Sequence, residues 1–252
     1  MYFPEPTLTN ILIGSGTLIS SIVLISRELN PSTQMGYSKF AKSSKAVTMV
    51  PSKQGMLIIY SPSLLLCFLG CLWSLSQAAH VKLVAIFSLV HFLKRIYEVL
   101  CVHRYSGHAI LKDNIVIACS YAGFSLTQLY FTSLVPPSET HRKEIMLGVI
   151  LFFVGEGLNH YHHLILANLR KDGAKEYKIP SGGLFDYIWC PHYLGEIIAF
   201  VAMTLLSQHM NTLIFQLSSA SYLAVRAYNT RLWYQQKFSD VAKKACLVPG
   251  LF

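Results

Sequence analysis

Seven apolar runs, each about 20 residues long, constrain the fold of this chain more than any other feature. A helix needs about that length of apolar sequence to cross a bilayer. The runs cover residues 8–25, 56–76, 83–102, 114–134, 145–166, 193–209 and 211–226, and the last two are separated only by a polar break at Gln208–Asn211. Only 13% of the residues are charged, against about 25% in soluble domains. We therefore predict an all-α integral membrane protein, with about seven transmembrane helices in one bundle and a single domain over residues 1–252.

The Lys and Arg residues between the runs predict how this bundle is oriented. Cytosolic loops of membrane proteins carry an excess of basic residues. With seven spans and a cytosolic C-terminus, 18 of the 21 basic residues fall on the cytosolic side. That side includes Lys42, Lys45, Lys171 and Lys175, whereas only Lys82, Arg142 and Lys143 fall on the other. The same clustering in short loops argues against a nucleic-acid partner, despite the net charge of +9.

The third run ends in a cluster of charged and titratable residues. His91, Arg95 and Glu98 follow helical spacing and share a face with Val102, and Lys94 stands four residues before Glu98. Charged groups at membrane depth are costly and usually face a cavity or one another. Snorkelling of Lys94 and Arg95 to the phosphate layer is the alternative. The presence of Glu98 favours a cavity lining.

The fifth run carries the densest polar pattern of the chain. Asn159, His163 and Arg170 recur at helical spacing, which predicts that they share one face of a helix. His160 and His162 fall off that face, so we expect them to have little part in function. Polar groups at this depth usually mark a binding or catalytic site.

The loop after this run offers groups that suit a phosphate-bearing cofactor. Lys175 and Lys178 supply positive charge, and Gly182-Gly183 permits a tight turn or a close backbone approach to a ligand. The sequence has no Walker pattern and no GxGxxG after a strand, so a nucleotide would bind without a P-loop or Rossmann fold. Farther on, Arg226 and Tyr234 are either ligand contacts or interfacial anchors.

A metal site is the chemical alternative for the histidines. His103 and His108 have a spacing found in membrane di-iron enzymes, but a His-x-x-His-His box is missing because residue 164 is Leu. The six cysteines include no CxxC pair, which argues against a zinc site and a disulfide framework. We predict no metal.

An ordered series of motifs resembles the C-terminal signature of the steroid 5α-reductase family. In chain order the motifs are Asn159, Leu169-Arg170, Tyr177-Lys178-Ile179-Pro180, Gly182-Gly183-Leu184-Phe185, Cys190-Pro191-His192-Tyr193-Leu194-Gly195-Glu196, Arg226-Ala227 and Trp233-Tyr234, and Gly36-Tyr37-Ser38-Lys39 also looks similar. The resemblance implies a seven-span reductase of the endoplasmic reticulum membrane, with a lumenal N-terminus and a cytosolic C-terminus. Such enzymes use NADPH to reduce a carbon–carbon double bond conjugated to a carbonyl. Residues 145–252 would form the family's C-terminal region.

The resemblance also implies which residues contact the nucleotide. NADPH would contact Asn159, His163, Arg170, Lys178, His192, Tyr193, Glu196, Arg226 and Tyr234, with Arg104 nearby. Two of these positions vary within the family, because His163 stands where some relatives have Asp and His192 where others have Asn.

The catalytic positions differ from those of animal steroid 5α-reductases. Those enzymes pair a Glu on the second span with a Tyr on the third, and the matching residues here are Tyr60 and Phe92. Reduction of an enone places negative charge on the carbonyl oxygen, which a hydrogen-bond donor stabilises. Phe92 cannot donate, so we expect Tyr60 to do so, with Tyr97 and Tyr193 in reserve. The expected substrate pocket contains His91, Phe92, Arg95 and Glu98.

Two substrate classes stay open for such a reductase. Lys94-Arg95, Glu98 and His103–Ser106 resemble the very-long-chain trans-2-enoyl-CoA reductase branch, whereas Val50–Ser63 resembles plant 5α-reductase-like proteins. We favour a 4-en-3-one steroid over an enoyl thioester. Further alternatives are a polyprenol reductase, a membrane methyltransferase and a non-catalytic lipid-binding protein. The tail at Asp240–Lys244 departs from the family pattern, which also leaves a diverged or inactive paralogue open. The partners would be the lipid substrate and membrane lipids; the oligomeric state stays open.

Overall fold

The computed structural model describes residues 1–36, 38–40, 47–170, 176–250 and 252. Most of them belong to seven α-helices: α1 Leu8–Leu29, α2 Ser52–Ser74, α3 Ala79–Tyr97, α4 Leu111–Ser133, α5 Arg142–Asn168, α6 Pro191–Ser207 and α7 Met210–Lys237. Each apolar run lies largely within one of them, and the predicted all-α bundle is confirmed. The loop residues Tyr37, Lys42, Lys45, Lys171 and Lys175 lie outside the described residues.

Hydropathy and length identify the helices that cross the membrane most clearly. Among the described residues, α1, α2 and α4 are each long and apolar enough to span a bilayer, and α6 is apolar but shorter. Large apolar side chains such as Leu12, Phe68 and Phe153 are exposed on the outside of the bundle, where lipid would cover them. The chain is a multi-pass membrane protein. Its last helix continues to Lys237, well past the apolar run that ends at residue 226.

Short connections fix the ends of the helices. A two-stranded antiparallel sheet joins β1 Met49–Pro51 to β2 His108–Ile110, so the entrance to α2 is tied to the entrance to α4. Gln208 ends α6 in the left-handed conformation with φ 54°. His209 then caps α7 by accepting a 3.1 Å hydrogen bond from the Asn211 amide. The predicted polar break between the last two runs is confirmed.

Two glycines allow α5 and α6 to pack very closely, and these helices form the most extensive contact in the bundle. A Cβ atom added to Gly155 would lie 2.6 Å from the Ala199 nitrogen and the Gly195 oxygen, and one added to Gly195 would lie 2.5 Å from the Asn159 nitrogen. Small residues permit such a backbone approach between membrane helices. The contact brings Asn159 Nδ2 to 2.8 Å from the His192 carbonyl oxygen.

Gly155→Ala should destabilise the bundle by about 1–3 kcal/mol, because the new methyl group would overlap the α6 backbone. Gly157→Ala on the same helix is the matched control, since nothing lies within 4 Å of its added Cβ. The control should be neutral or stabilising by up to about 1 kcal/mol through helix propensity. Thermal melting in detergent measures both variants, and equal melting temperatures would contradict the close contact.

Candidate active site

A buried network of charged and polar side chains joins α3 to α5. It consists of Lys94, Arg95, Glu98, Glu156, Asn159, His160 and His163, and is called the Glu98 network below. Glu98 is fully buried and begins a π-helical turn, Glu98–Val102, at the end of α3. Such turns occur frequently at functional sites.

Glu98 holds the network together through both carboxylate oxygens. Its Oε2 accepts a 2.8 Å hydrogen bond from Arg95 Nη1 and lies 3.1 Å from His163 Nδ1. Its Oε1 lies 2.8 Å from His160 Nδ1 and 3.4 Å from Lys94 Nζ. His160, which the sequence placed off the predicted face, therefore belongs to the Glu98 network, while its part in function stays a prediction. Residues three apart on a helix are neighbours, so His160 and His163 reach the same carboxylate.

Glu156 and Asn159 extend the network along α5. Glu156 Oε1 lies 2.6 Å from His91 Nδ1, and its Oε2 lies 3.0 Å from Lys94 Nζ. Lys94 also donates to Asn159 Oδ1, while Asn159 Nδ2 donates to the His192 carbonyl oxygen. Lys94 therefore does not snorkel, and its charge is used to connect α3, α5 and the start of α6.

Arg95 connects this network to Tyr60 on α2. Its Nη2 donates to Tyr60 Oη, and its guanidinium lies 4.9 Å from the centre of the Tyr60 ring. Tyr60 is buried, and its ring stacks on Tyr121, which contacts Phe92 edge-on. Because hydrogen bonds in a chain polarise one another, the guanidinium makes the Tyr60 hydroxyl a stronger donor. Tyr97, by contrast, is more than half exposed.

Two adjoining cavities lie beside the network. The larger, called the lipid cavity, has a volume of about 730 Å³ and lies between α1, α4, α6 and α7. The smaller, called the inner cavity, measures about 40 Å³ and includes His91 and Phe92 in its wall. Glu196 lines both cavities. Of the expected pocket residues, His91 and Phe92 line a cavity, whereas Arg95 and Glu98 are engaged in the network behind it.

The residues expected to contact a nucleotide gather around one end of the bundle. Asn159 and His163 belong to the Glu98 network. His192 and Tyr193 begin α6 with their ring centres 4.3 Å apart, and the His192 ring lies 5.5 Å from that of His163. Five of the expected contacts, including Glu196 on the next turn of α6, are thus close in the fold.

Arg104 and Arg170 join two loops at this end. Each guanidinium donates to the backbone carbonyl of the other residue, at 3.1 and 3.0 Å. Arg170 also donates to Ser106 Oγ and lies over the ring of Tyr177. Because α5 ends before Arg170, only Asn159 and His163 lie on the helical face that was predicted for all three residues. Lys178 is exposed in the following loop.

Arg226 is buried in contacts that the sequence did not predict. Its Nη1 lies 2.8 Å from Glu28 Oε1 on α1 and donates to the Met35 carbonyl oxygen at 3.1 Å. Its guanidinium lies 4.1 Å from the centre of the Phe40 ring. These contacts attach α7 to α1. In the sequence, Glu28 stands out only as a lone acidic residue at the end of the first helix, and this does not indicate Arg226 as its partner.

Lys39 is a further cation that the predicted site omitted. Its Nζ lies 4.7 Å from the ring centre of Tyr234, which in turn stacks on Trp189. Desolvation by burial lowers the pKa of Lys39 to about 8. The Gly36–Lys39 motif, which resembles the family, is the sequence feature that could have indicated Lys39.

The groups at this end of the bundle fit a nucleotide. Within the described ranges, Trp189 Nε1, His192 Nδ1 and Arg231 Nε are buried without a hydrogen-bond partner. Unpaired polar atoms of this kind are costly and suit a bound polar ligand. The surrounding cations, which suit phosphate groups, are Lys39, Arg104, Arg170 and Lys178.

Glu98, His103 and His163 also have the composition of a metal site, with ligand atoms within 4.8 Å of one another. Arg95 Nη1, however, lies 2.8 Å from Glu98 Oε2 and 3.4 Å from His163 Nδ1. A metal ion there would be repelled by the guanidinium charge. The geometry favours an ion-pair network at this position.

Comparison with known proteins relates the chain to membrane reductases. The family model described as 3-oxo-5-alpha-steroid 4-dehydrogenase matches residues 109–252, more than half of the chain. The 3-oxo-5-alpha-steroid 4-dehydrogenase 2 of Macaca fascicularis is 30% identical over 250 residues, and that of Homo sapiens is 29% identical over 263; each match covers 96% of both chains. A very-long-chain enoyl-CoA reductase of Dictyostelium discoideum is 34% identical over 165 residues, or 64% of this chain and 55% of the relative.

Glu98→Gln should destabilise the protein by about 3–5 kcal/mol, because it leaves the buried Lys94 and Arg95 charges without their shared partner. Glu139→Gln, at an exposed position, is the matched control and should stay within about 0.5 kcal/mol of wild type. Denaturation of the detergent-solubilised proteins measures both. A loss no greater than that of the control would show that Glu98 does not hold the network together.

Proposed function

Because the chain belongs to the 3-oxo-5-alpha-steroid 4-dehydrogenase family, we propose that it reduces a carbon–carbon double bond conjugated to a carbonyl in a membrane lipid, with NADPH as reductant. The family is known to use NADPH. The observation that carries the proposal is a Tyr60–Arg95 pair placed behind the wall of the two cavities. That wall includes Tyr121, on which Tyr60 stacks.

The proposed chemistry assigns a separate task to each of these groups. Bound NADPH would supply a hydride to the β-carbon of the enone. Tyr60 would donate a hydrogen bond to the carbonyl oxygen, where negative charge develops. Arg95, held by Glu98, would polarise the Tyr60 hydroxyl through its own hydrogen bond. The apolar cavity walls would exclude water, which strengthens these electrostatic interactions.

For cofactor binding, the proposal uses the cluster of donors and cations at one end of the bundle. Arg104, Arg170 and Lys178 would contact phosphate groups, while Asn159, His192 and Glu196 would hold the nicotinamide end near the cavities. Arg226 would act indirectly, because Glu28 already engages its guanidinium. By the distribution of basic residues, this end faces the cytosol in our proposal, and the membrane is that of the endoplasmic reticulum.

The favoured substrate is a 4-en-3-one steroid, reduced to the 5α-3-oxo steroid. Two relatives whose names specify a 3-oxo-5-alpha-steroid cover 96% of the chain. The lipid cavity of about 730 Å³ falls within the range of roughly 300–1,000 Å³ for small-molecule sites. A trans-2-enoyl-CoA is the second candidate, and it is supported by the 34% identity to the enoyl-CoA reductase.

Purified protein in lipid nanodiscs should oxidise NADPH when a 4-en-3-one steroid is added, and more slowly or not at all with a trans-2-enoyl-CoA. The physical reason is that a steroid fits within the lipid cavity of about 730 Å³, whereas a CoA thioester, with its nucleotide, is too large to fit within it. The absorbance of NADPH is used to follow the reaction, and the control contains protein and NADPH without any added enone. Faster oxidation with the thioester would assign the chain to the second substrate class, and no oxidation with either would contradict the proposed activity.

Tyr60→Phe should lower kcat by about 10²–10³, because it removes the donor to the developing oxyanion. The affinity for NADPH should stay nearly unchanged, because Tyr60 is not among the residues proposed to contact the nucleotide. Tyr161→Phe is the control, because Tyr161 is more than half exposed on α5. Steady-state kinetics measure both variants. An unchanged kcat in Tyr60→Phe would move the donor role to Tyr97 or Tyr193.

A further inference from the structure

A chain of three buried polar side chains crosses the apolar interior beside the inner cavity. Gln216 Nε2 on α7 donates to Gln128 Oε1 on α4 at 3.1 Å, and Gln128 Nε2 donates to Ser88 Oγ on α3 at 3.2 Å. None of the three is more than 6% exposed. All three line the inner cavity. Polar groups buried in a membrane bundle are costly, and they commonly mark the path or site of a ligand.

The hydrogen bond that Ser88 donates fixes the direction of the other two hydrogen bonds in this series. Ser88 Oγ donates its proton to the Val84 carbonyl oxygen at 2.7 Å, and a carbonyl can only accept. Ser88 Oγ must then accept from Gln128, so Gln128 presents its amide nitrogen there and its oxygen to Gln216. Gln216 in turn presents its nitrogen to Gln128. Gln216 Oε1 is therefore the last atom in this series of hydrogen bonds.

Gln216 Oε1 is buried and has no hydrogen-bond partner in the part of the chain that the structure describes. It can only accept, so the group that satisfies it must donate. The inner cavity that Gln216 lines has room for a hydroxyl group or a few water molecules, and is too small for a whole lipid.

The inner cavity adjoins the much larger lipid cavity. Phe124 and Phe215 stack with ring centres 4.0 Å apart, and both rings line both cavities. Phe215 directly precedes Gln216 on α7. α4 packs against α2, which carries Tyr60, and also against α7. Tyr121, on which Tyr60 stacks, and Gln128, which Gln216 contacts, both lie on α4 and both line the inner cavity. They are seven residues apart, or about 10 Å along the helix, so Tyr60 and Gln216 adjoin different ends of the inner cavity.

We propose that Gln216 Oε1 accepts a hydrogen bond from a hydroxyl group of the lipid substrate, at the end of the molecule away from the reacting carbonyl. The inference rests on the proposed function for the enone, and it adds a second recognition point. For a 4-en-3-one steroid, the hydroxyl would lie on the ring-D end. A ketone or an alkyl terminus at that end cannot donate and would leave the buried oxygen unsatisfied.

Equilibrium binding of two matched steroids to the full-length protein in nanodiscs tests this subsite without any turnover. The steroids are 4-en-3-ones that differ only by a hydroxyl group or a hydrogen on ring D, and tryptophan fluorescence reports binding. Wild type should bind the hydroxysteroid about tenfold to a hundredfold more tightly, as one buried hydrogen bond requires. Equal affinities would overturn the subsite, and would indicate a resident water on Gln216.

Gln216→Met keeps the side-chain length but removes the acceptor together with the Nε2 donor to Gln128. It should reduce the difference in affinity between the two steroids to about twofold or less, with the affinity for the deoxysteroid retained. Thr127→Val is the matched control. Thr127 lines the lipid cavity, but its hydroxyl is bonded to the Gly123 carbonyl of its own helix. The Thr127→Val variant should keep the wild-type preference for the hydroxysteroid. A preference that survives in Gln216→Met would also overturn the subsite.

The outcomes separate this inference from the proposed function. Enone reduction without a preference for the hydroxysteroid would overturn the Gln216 subsite alone. A preference for the hydroxysteroid without NADPH oxidation would support the subsite and contradict the reductase activity.

Discussion

The backbone contact between α5 and α6 is the constraint on which the candidate site depends. Gly155 and Gly195 carry no side chains, so the two helices approach to distances that no other residue would permit. Asn159 therefore reaches the His192 carbonyl, and Glu196 stands within electrostatic reach of Arg95 on α3. Residues proposed to hold the nicotinamide end of the nucleotide are thus brought together by a contact that contains no functional group itself.

Charge balance explains why so many ionisable groups are tolerated beside that contact. Within the Glu98 network, Glu98 and Glu156 offset Lys94 and Arg95, and the histidines can donate or accept as their neighbours require. Buried ion pairs add little net stability, yet loss of one partner is costly. The network thus fixes the position of Arg95, and through it the proposed donor Tyr60.

The fold was predictable because hydropathy acts locally. Each helix follows from an apolar run of spanning length, and the break at Gln208–Asn211 follows from its polar residues. The site was harder to predict, since it depends on partners distant in sequence. Arg226 pairs with Glu28, 198 residues away, and no local pattern signals such a contact. The contact of His160 with Glu98 was missed for a simpler reason, because a helical face is wide enough to include residues three apart.

The central claim is that this chain transfers hydride to a lipid enone beside Tyr60. NADPH labelled with deuterium at both C4 positions of the nicotinamide tests it most directly, when incubated with the purified protein and a 4-en-3-one steroid. The account predicts a saturated 5α-3-oxo product one mass unit heavier than that formed with unlabelled NADPH, with the deuterium on the former β-carbon. An unlabelled product, or no reduction of the steroid, would contradict it.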